Sequence, residues 1–371
     1  MKDLAARILT FAFGLLVIIS SLSLNSCKDK FSTQAADTVR DTTIRRDTTI
    51  KFDTIVVHDT LDRDDSSIWV FRAVGQTTND LVTCQFSNSN NGFIGGENGV
   101  ILKTNDGGNT WITESSAPVV STSSGPGVVY GIFLADATDL FAVGEQRVVD
   151  RSNDGGGSWS QMNTSNVPTT DLIRSVCFLN PTTGFVGTTD AYAAPSGSIC
   201  NTVDGGNTWN LEYTCTTGGV YHIQFISATN GIATGRYGTA LWTSDGGTTW
   251  NPGTTDQPNA NLYRTAFINA TTGFATGYID VTHGVILHTT DAGHSWQTIR
   301  SVFYGAQGIA TDGDSVITVN GEGGNVSESK DGGATWSDYQ VGTNRWIDIQ
   351  YPSKDRAVMI GIAGQIVTRD R

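Results

Sequence analysis

Six aspartates recur in this 371-residue chain within one short motif, and repeated carboxylates of this kind could bind cations or transfer protons. The motif reads S/T-x-D-x-G-x-T/S-W, and each copy supplies a single carboxylate with no second ligand at metal-binding spacing. An Asp in a tight turn instead accepts backbone N–H groups, Gly adopts positive φ, and a closing Trp covers the hairpin. We therefore interpret the motifs as structural turns, with no catalytic residue and no metal ion. Their Asp and Trp residues are Asp106, Trp111, Asp154, Trp159, Asp204, Trp209, Asp245, Trp250, Asp291, Trp296, Asp331 and Trp336.

Arginine, tyrosine and histidine side chains form a second candidate set in the same part of the chain. Large rings and planar guanidinium donors anchor protein interfaces and anionic ligands. We expect a binding site built from Tyr130, Arg147, Arg174, Tyr221, His222, Arg236, Tyr237, Tyr263, Arg264, Tyr304, Arg345 and Trp346. Two structural alternatives stay open: the arginines could pair with neighbouring Asp or Glu residues, or they could line a channel.

Composition limits the classes of protein to consider. The chain has 36 acidic and 23 basic residues, a net charge of −13, which argues against nucleic-acid binding. Its 9 Trp, 15 Phe and 10 Tyr residues argue against a disordered polymer, and its 43 Gly residues suit short strands joined by tight turns. We therefore expect an all-β protein.

The spacing of the six motifs predicts the fold. Successive motif aspartates are 40 to 50 residues apart, the length of one four-stranded propeller blade. A further unit begins at Tyr351 and ends at Arg371 without an outer strand, while Trp69 to Gly75 is similar to the strand that follows each motif Trp. The sequence therefore predicts a seven-bladed β-propeller with four-stranded antiparallel blades, closed by pairing residues 68–74 with residues 362–368.

The motifs also carry a family resemblance. With units such as Gly92 to Trp111, residues 66–371 resemble the BNR or Asp-box repeat proteins, most closely the photosystem II assembly and stability factor-like propellers. The resemblance implies that each motif, called an Asp-box below, joins the third and fourth strands of a blade at the rim away from the channel. It also implies an arginine-rich patch. Propellers bind ligands where inner strands begin and where second strands turn into third strands, and the Arg and Tyr candidates fall there, with Glu97 and Glu322 in the turns.

The N-terminus has the features of an export signal. Lys2 and Arg7 precede an apolar stretch from Ile8 to Ile19 that is too short for a permanent membrane span. Cys27 ends this segment and resembles the lipidated Cys of a bacterial lipobox; an ordinary cleaved signal is the alternative. We expect residues 1–27 to be a lipoprotein signal peptide, which would anchor an exported protein to the cell envelope, in the outer membrane or at the cell surface.

Residues 28–65 separate the signal from the propeller. Asp41, Asp47, Asp53 and Asp59 are six residues apart in a segment with alternating β-branched and charged residues and little apolar surface to bury. We interpret the segment as an extended stalk, with a partner-binding strand as the alternative.

Signals for catalysis and for metal binding are weak. The chain lacks the Arg-Ile-Pro segment that sialidases require. It has enough residues for one propeller, whereas xyloglucan-degrading enzymes with these motifs use a cleft between two. Its histidines show no metal-ligand spacing. Cys200 and Cys215 flank one Asp-box in an offset register, and we expect free thiols at least at Cys84 and Cys177, which fall in non-adjacent blades.

These features together predict a non-enzymatic, lipid-anchored scaffold without a cofactor, which binds a protein partner through its Arg and Tyr face. The alternative is a carbohydrate-active glycoside hydrolase or a sugar-binding propeller.

Overall fold

The computed structural model describes residues 56–57, 69–72, 77–114, 121–122, 125–168, 172–190, 196–216, 218–280, 282–303, 305–314 and 317–371. All of them belong to one compact unit, residues 52–371. The expected signal peptide with Cys27, nearly all of the expected stalk, and Tyr304 lie outside the described residues. Within the described part, no helix is long and apolar enough to cross a membrane.

Six blades are each built from four consecutive antiparallel strands. Alternating apolar and polar residues between Gly-rich turns favour these short strands. The strands are Leu81–Phe86, Gly92–Gly96, Ile101–Thr104 and Ile112–Thr113 in blade 1; Val129–Leu134, Leu140–Gly144, Val149–Ser152 and Ser160–Gln161 in blade 2; Leu172–Phe178, Gly184–Thr189, Gly197–Thr202 and Asn210–Cys215 in blade 3; Val220–Phe225, Gly231–Gly235, Ala240–Thr243 and Asn251–Pro252 in blade 4; Asn261–Phe267, Gly273–Asp280, His283–Thr289 and Ser295–Phe303 in blade 5; and Ala306–Thr311, Ile317–Gly321, Asn325–Ser329 and Ser337–Gln340 in blade 6.

A few shorter elements accompany the blades. Thr254–Thr255 pairs in parallel with the outer strand of blade 5, and Ser121–Thr122 pairs with Gly125–Pro126. The described chain also has 3-10 turns at Glu97–Gly99, Glu322–Gly324 and Ile362–Gly364, each between the second and third strands of a sheet.

The sheet that completes the ring, called the closing blade below, is assembled from both ends of the described chain. Its strands, from the channel outwards, are Trp346–Ser353, Arg356–Gly361, Ile366–Asp370, Trp69–Arg72 and Val56–Val57. Its innermost strand contacts the inner strands of blade 6 and blade 1. Val70 lies opposite Thr368 in antiparallel pairing, so closure by an N-terminal strand is confirmed.

The closing blade differs from its neighbours in two ways. The prediction of seven four-stranded blades is met in part: the structure has six blades of four consecutive strands, and the sheet that joins them into a ring is a composite with five strands. In addition, Val56–Val57, which belongs to the segment expected to be a stalk, pairs antiparallel with Trp69 and Val70. The propeller unit therefore begins earlier than the expected boundary at residue 66.

Each Asp-box is a closed set of hydrogen bonds between the third and outer strands of a blade. The Asp106 carboxylate accepts from the Thr104 hydroxyl at 2.8 Å, from the Thr110 N–H at 2.9 Å and from the Thr110 hydroxyl at 2.6 Å. The Gly108 N–H donates to Thr104 Oγ1 at 2.9 Å, with Gly108 at φ +86°. The other five boxes repeat the Asp contacts. The carboxylate of each box Asp therefore accepts its hydrogen bonds from residues of its own turn.

The box carboxylates make stability sensitive to acid. Hydrogen bonds from Ser158 lower the pKa of Asp154 to about 2, and those from Thr335 lower that of Asp331 to about 2. Because the folded pKa lies below the ordinary value of 3.8, this stabilisation is present above pH 3.8 and lost as the pH falls through about 2. Urea melts between pH 5 and pH 2 should show a falling free energy of unfolding, with a smaller fall for Asp154→Asn. An unchanged free energy of unfolding over that range would contradict this account.

The four cysteines of the described chain are free and buried. This confirms the expectation for Cys84 and Cys177. Cys200 lies opposite Leu211 while Cys215 lies opposite Gly197, so the pairing register separates the two residues. Burial raises the pKa of the Cys177 thiol to about 12, and the thiol therefore stays protonated at neutral pH.

Candidate functional site

A β-bulge interrupts every inner strand near its start, just after the first or second paired residue. In blade 3, for example, Ile173 pairs with Thr188 and Ser175 pairs with Gly187, so Arg174 is the extra residue between them. A bulge re-aims the side chain of its extra residue out of the normal alternation of a strand. The bulged residues are Val82, Tyr130, Arg174, Tyr221, Tyr263, Gln307 and Ile347.

These seven bulged residues surround a cavity of about 290 Å³ at one end of the channel, called the mouth below. Its remaining lining comes from the inner strands, the segments just before them and one turn: Asp80, Glu97, Val128, Arg264 and Arg345. The structure thus brings together Tyr130, Arg174, Tyr221, Tyr263, Arg264 and Arg345, six of the predicted site residues.

Arg174 is held between two aromatic rings. Its guanidinium carbon lies 4.5 Å from the ring centre of Tyr130 and 4.8 Å from that of Tyr221. Its buried Nε atom has no hydrogen-bond partner, and no carboxylate within the described residues forms an ion pair with it. Between these two rings, the guanidinium keeps N–H groups that a ligand can accept.

The aromatic row continues beyond Arg174. The Tyr221 and Tyr263 rings stack at 5.3 Å, and the Tyr263 and Tyr278 rings lie at the same separation with a tilt of 35°. Burial raises the pKa of Tyr221 and that of Tyr263, so both hydroxyls stay protonated and can donate hydrogen bonds. One side of the mouth is therefore a continuous wall of rings with a single stacked cation.

The other two arginines of the mouth have carboxylate partners. Arg264 Nη2 lies 3.3 Å from Asp348 Oδ2, and the same oxygen accepts the Cys84 N–H at 3.0 Å. This pair joins blade 5 to the closing blade across blade 6, which has only Gly308 at the corresponding position. Arg345 Nη1 lies 3.4 Å from Glu322 Oε1. The alternative of pairing with neighbouring acids is thus correct for Arg264 and Arg345.

His222 contributes no positive charge to the mouth. It lines a second cavity, of about 370 Å³, further along the channel. Its Nδ1 lies 3.0 Å from Thr265 Oγ1, and that hydroxyl donates to Gln224 Oε1, so Nδ1 carries the imidazole proton. Burial lowers the pKa of His222 to about 3, and the ring is neutral at neutral pH.

Four predicted site residues lie away from the mouth lining, and each has a structural reason. Arg147 is in a turn, where its Nη1 donates to the Val167 carbonyl oxygen at 3.1 Å. Arg236 and Tyr237 stack on each other at 4.9 Å in an exposed turn. Trp346 is fully buried, and its Nε1 donates to the Val341 carbonyl oxygen at 2.8 Å. Trp346 is therefore a core residue, which corrects the expectation that it binds a ligand.

The sequence also missed part of the mouth. Asp80, Val82, Gln307 and Ile347 line the cavity, although their types carry no chemical signal by themselves. A register rule would have found Val82 and Ile347, because Phe86 and Tyr351 follow them by four positions, as Phe178 follows Arg174. The rule would have missed Gln307, because Thr311 stands at the corresponding position of that strand.

Asp280 and Glu322, a carboxylate pair that glycoside hydrolysis would require, are both engaged by other side chains. Asp280 accepts hydrogen bonds from the Thr282 N–H and hydroxyl at 2.8 Å, and His283 Nδ1 lies 2.8 Å from it. Glu322 is paired with Arg345. Among the described residues, no group of three or more His, Cys, Asp or Glu side chains could hold a metal ion.

The fold, the boxes and the mouth define an Asp-box β-propeller with a ring-lined, partly charged channel opening. Residues 61–212 and 213–303 match the family model described as Photosynthesis system II assembly factor YCF48. These ranges cover more than half of the chain, so the chain belongs to the YCF48 family. No curated protein matches the sequence.

Solved structures share the fold. A structure described as YCF48 bound to D1 peptide is 20% identical, with a TM-score of 0.62 over 81% of this chain and 96% of that one. YCF48 from Cyanidioschyzon merolae is 21% identical, with a TM-score of 0.62 over 82% and 98%. A GH74 enzyme from Niastella koreensis is 17% identical, with a TM-score of 0.63 over 80% of this chain and 53% of that one. At these identities the likeness concerns the fold alone.

Proposed function

We propose that this protein is a non-enzymatic scaffold that binds a protein partner at the mouth of its propeller while a lipid on Cys27 anchors it to the bacterial cell envelope. Membership of the YCF48 family supports a role in protein binding or assembly. A solved YCF48 structure has a D1 peptide bound, which supports a peptide segment as the kind of ligand.

The stacking of Arg174 between Tyr130 and Tyr221 is the observation that carries this proposal. The two neighbouring rings hold the guanidinium in place before a ligand arrives, which reduces the entropy lost on binding. Its in-plane N–H groups match the two oxygens of a carboxylate, the group that proteins display on Asp, Glu and the C-terminus. The surrounding tyrosines add ring surface and hydroxyl donors, as in protein interfaces.

Replacing Arg174 with Gln should weaken binding without changing the fold. The partner would first be captured by crosslinking from envelope membranes, and its dissociation constant measured with purified proteins. We expect a loss of about 2 kcal/mol or more in binding, which is what removal of a desolvated Arg anchor costs. Arg147→Gln is the matched control, because Arg147 is also a propeller arginine but lies outside the mouth. Normal capture by Arg174→Gln would contradict the proposed site.

The anchor is tested separately. Cys27→Ser should move the protein from the membrane fraction to the soluble fraction, because no acyl chain can then be attached. Cys27 is the only proposed lipidation site, so the release should be nearly complete. Fractionation followed by mass spectrometry of the mature N-terminus measures both the location and the lipid. Membrane retention of Cys27→Ser at the wild-type level would exclude this anchor.

A further inference from the structure

We propose that the mouth selects a dipolar peptide segment, in which an acidic side chain binds Arg174 and a basic side chain a few residues away binds Glu97. This inference rests on the proposed function, because it specifies the partner of the same site. It adds a requirement for a positive charge on the partner, which an arginine site alone does not predict.

The argument begins with the charges that the mouth leaves uncompensated. Arg264 is paired with Asp348, and Arg345 is paired with Glu322. Each of these pairs is internally neutral and offers a ligand little net attraction. Among the cations that line the mouth, Arg174 alone is left without a carboxylate partner in the described structure.

The negative charge of the mouth lies on blade 1. Glu97 begins the 3-10 turn Glu97–Gly99, and its N–H donates to the Asp80 carbonyl oxygen at 2.9 Å, which fixes its backbone at the cavity. In the described residues its carboxylate makes no hydrogen bond and no ion pair, although it lines the mouth. Asp80 lines the mouth beside it, and its carboxylate accepts the Ala363 N–H at 2.9 Å, which leaves its negative charge uncancelled by any cation in the described contacts.

The two charges lie on either side of blade 2. The inner strands of blades 1, 2 and 3 contact one another in order, and blade 2 presents Tyr130 between Glu97 and Arg174. A peptide that reaches both must cross the Tyr130 ring and Val128, which provide apolar surface for the stems of its side chains. Both charges line one cavity of about 290 Å³ and an extended chain advances about 3.3 Å per residue, so the peptide charges should be a few residues apart.

The net negative charge of the chain also favours a dipolar peptide over a purely acidic one. The whole chain carries −13, so a purely acidic segment would be repelled by the protein and by Glu97 in particular. A purely basic segment would be repelled by the positive charge of Arg174. Only a segment with both charges gains from both ends of the mouth, and the order of the blades determines which end takes which charge.

The experiment uses short synthetic peptides as probes. Acetylated and amidated peptides with one Glu and one Lys, separated by one to four Gly or Ser residues, are compared with versions in which either charged residue is Gln. We expect the best dipolar peptide to bind the purified protein about tenfold more tightly than either singly charged version, because each of its charges finds an opposite charge in the mouth. The advantage of the dipolar peptide should decrease with added salt.

Protein variants assign each charge to its partner. Glu97→Gln should abolish the preference for Lys over Gln in the peptide and leave the preference for Glu intact, whereas Arg174→Gln should do the reverse. If Arg174→Gln weakens binding but Glu97→Gln leaves the Lys preference unchanged, the dipolar inference is wrong and the proposed function stands. If Arg174→Gln changes nothing, the proposed function fails as well. Absence of binding by every peptide up to about 10 mM would also overturn the inference.

Discussion

Glu328→Ala should lower the free energy of unfolding by about 3–5 kcal/mol, the usual cost of breaking a buried ion pair from one side. Glu328 and Arg369 have side chains only 3% and 2% exposed, and Arg369 Nη2 lies 2.6 Å from Glu328 Oε2. The variant would leave the guanidinium buried without its anion. This pair joins blade 6 to the closing blade, and urea unfolding measures the loss.

The surroundings of this pair explain why the loss should be large. The Tyr339 hydroxyl donates to Glu328 Oε2 at 2.9 Å and accepts from Arg369 Nη1 at 2.8 Å. The Trp69 ring covers Arg369, whose guanidinium carbon lies 4.8 Å from the ring centre, so the closing N-terminal strand is part of the same network. Burial raises the pKa of Tyr339, and its hydroxyl therefore keeps the proton that the network requires.

Two further variants separate the ion pair from a general sensitivity to mutation. Lys354→Met removes a partner from the Lys354–Asp314 pair, whose side chains are 68% and 70% exposed, and should leave stability nearly unchanged. Replacing Glu328 and Arg369 together with Met should recover much of the loss, because no buried charge then remains. A loss below about 1 kcal/mol for Glu328→Ala would show that water compensates the arginine.

Trp250→Ala should also lower the free energy of unfolding by about 3–5 kcal/mol, as expected for truncating a buried Trp. The ring is 6% exposed. It meets Phe185 and Phe225 edge to face, at 6.2 Å and 6.0 Å, and so packs blade 3 against blade 4. Partner binding should fall only in proportion to the folded fraction, because Trp250 belongs to an Asp-box and does not line the mouth.

Matched tryptophans provide the controls. Trp159 is only partly buried, so Trp159→Ala should cost clearly less in urea melts than Trp250→Ala. Trp296 donates its Nε1–H to the Gly293 carbonyl oxygen at 3.1 Å, whereas Trp250 Nε1 has no partner. Trp296→Phe should therefore be more destabilising than Trp250→Phe. Equal costs for the two Phe variants would indicate that the box hydrogen bond contributes little.

The architecture could be predicted from the sequence because the motif that marks each blade is complete within a short segment. Each Asp-box closes within eight residues, so its spacing alone identified the blades that contain one. The closing strand was predictable for a related reason: the unit that begins at Tyr351 lacks an outer strand, and Trp69–Arg72 fills the vacancy. The addition of Val56–Val57 to the same sheet was not predictable, because its pairing depends on an edge that only the folded blade provides.

The mouth was harder to predict because it depends on register and on distant partners. A strand alternates its side chains, and a bulge changes that alternation by one residue. The sequence offered Arg345 and Trp346 as one candidate pair, whereas the bulge in that strand directs Ile347 into the cavity and leaves Trp346 in the core. The pairing of Arg264 with Asp348, 84 residues away, has no local signature either.

The bulge in each inner strand places a residue at the mouth that takes no part in the strand pairing of its blade. Each bulged residue lies outside the ladder of paired residues on its strand, so exchanging one side chain there alters neither the register nor the apolar layers between blades. The side chain at one position per blade can therefore vary at the mouth while the blades stay the same, much as antibody loops vary on a constant framework. Variants of this propeller that differ only at bulged residues should therefore recognise different partners while keeping their Asp-boxes and the hydrogen bonds that close them.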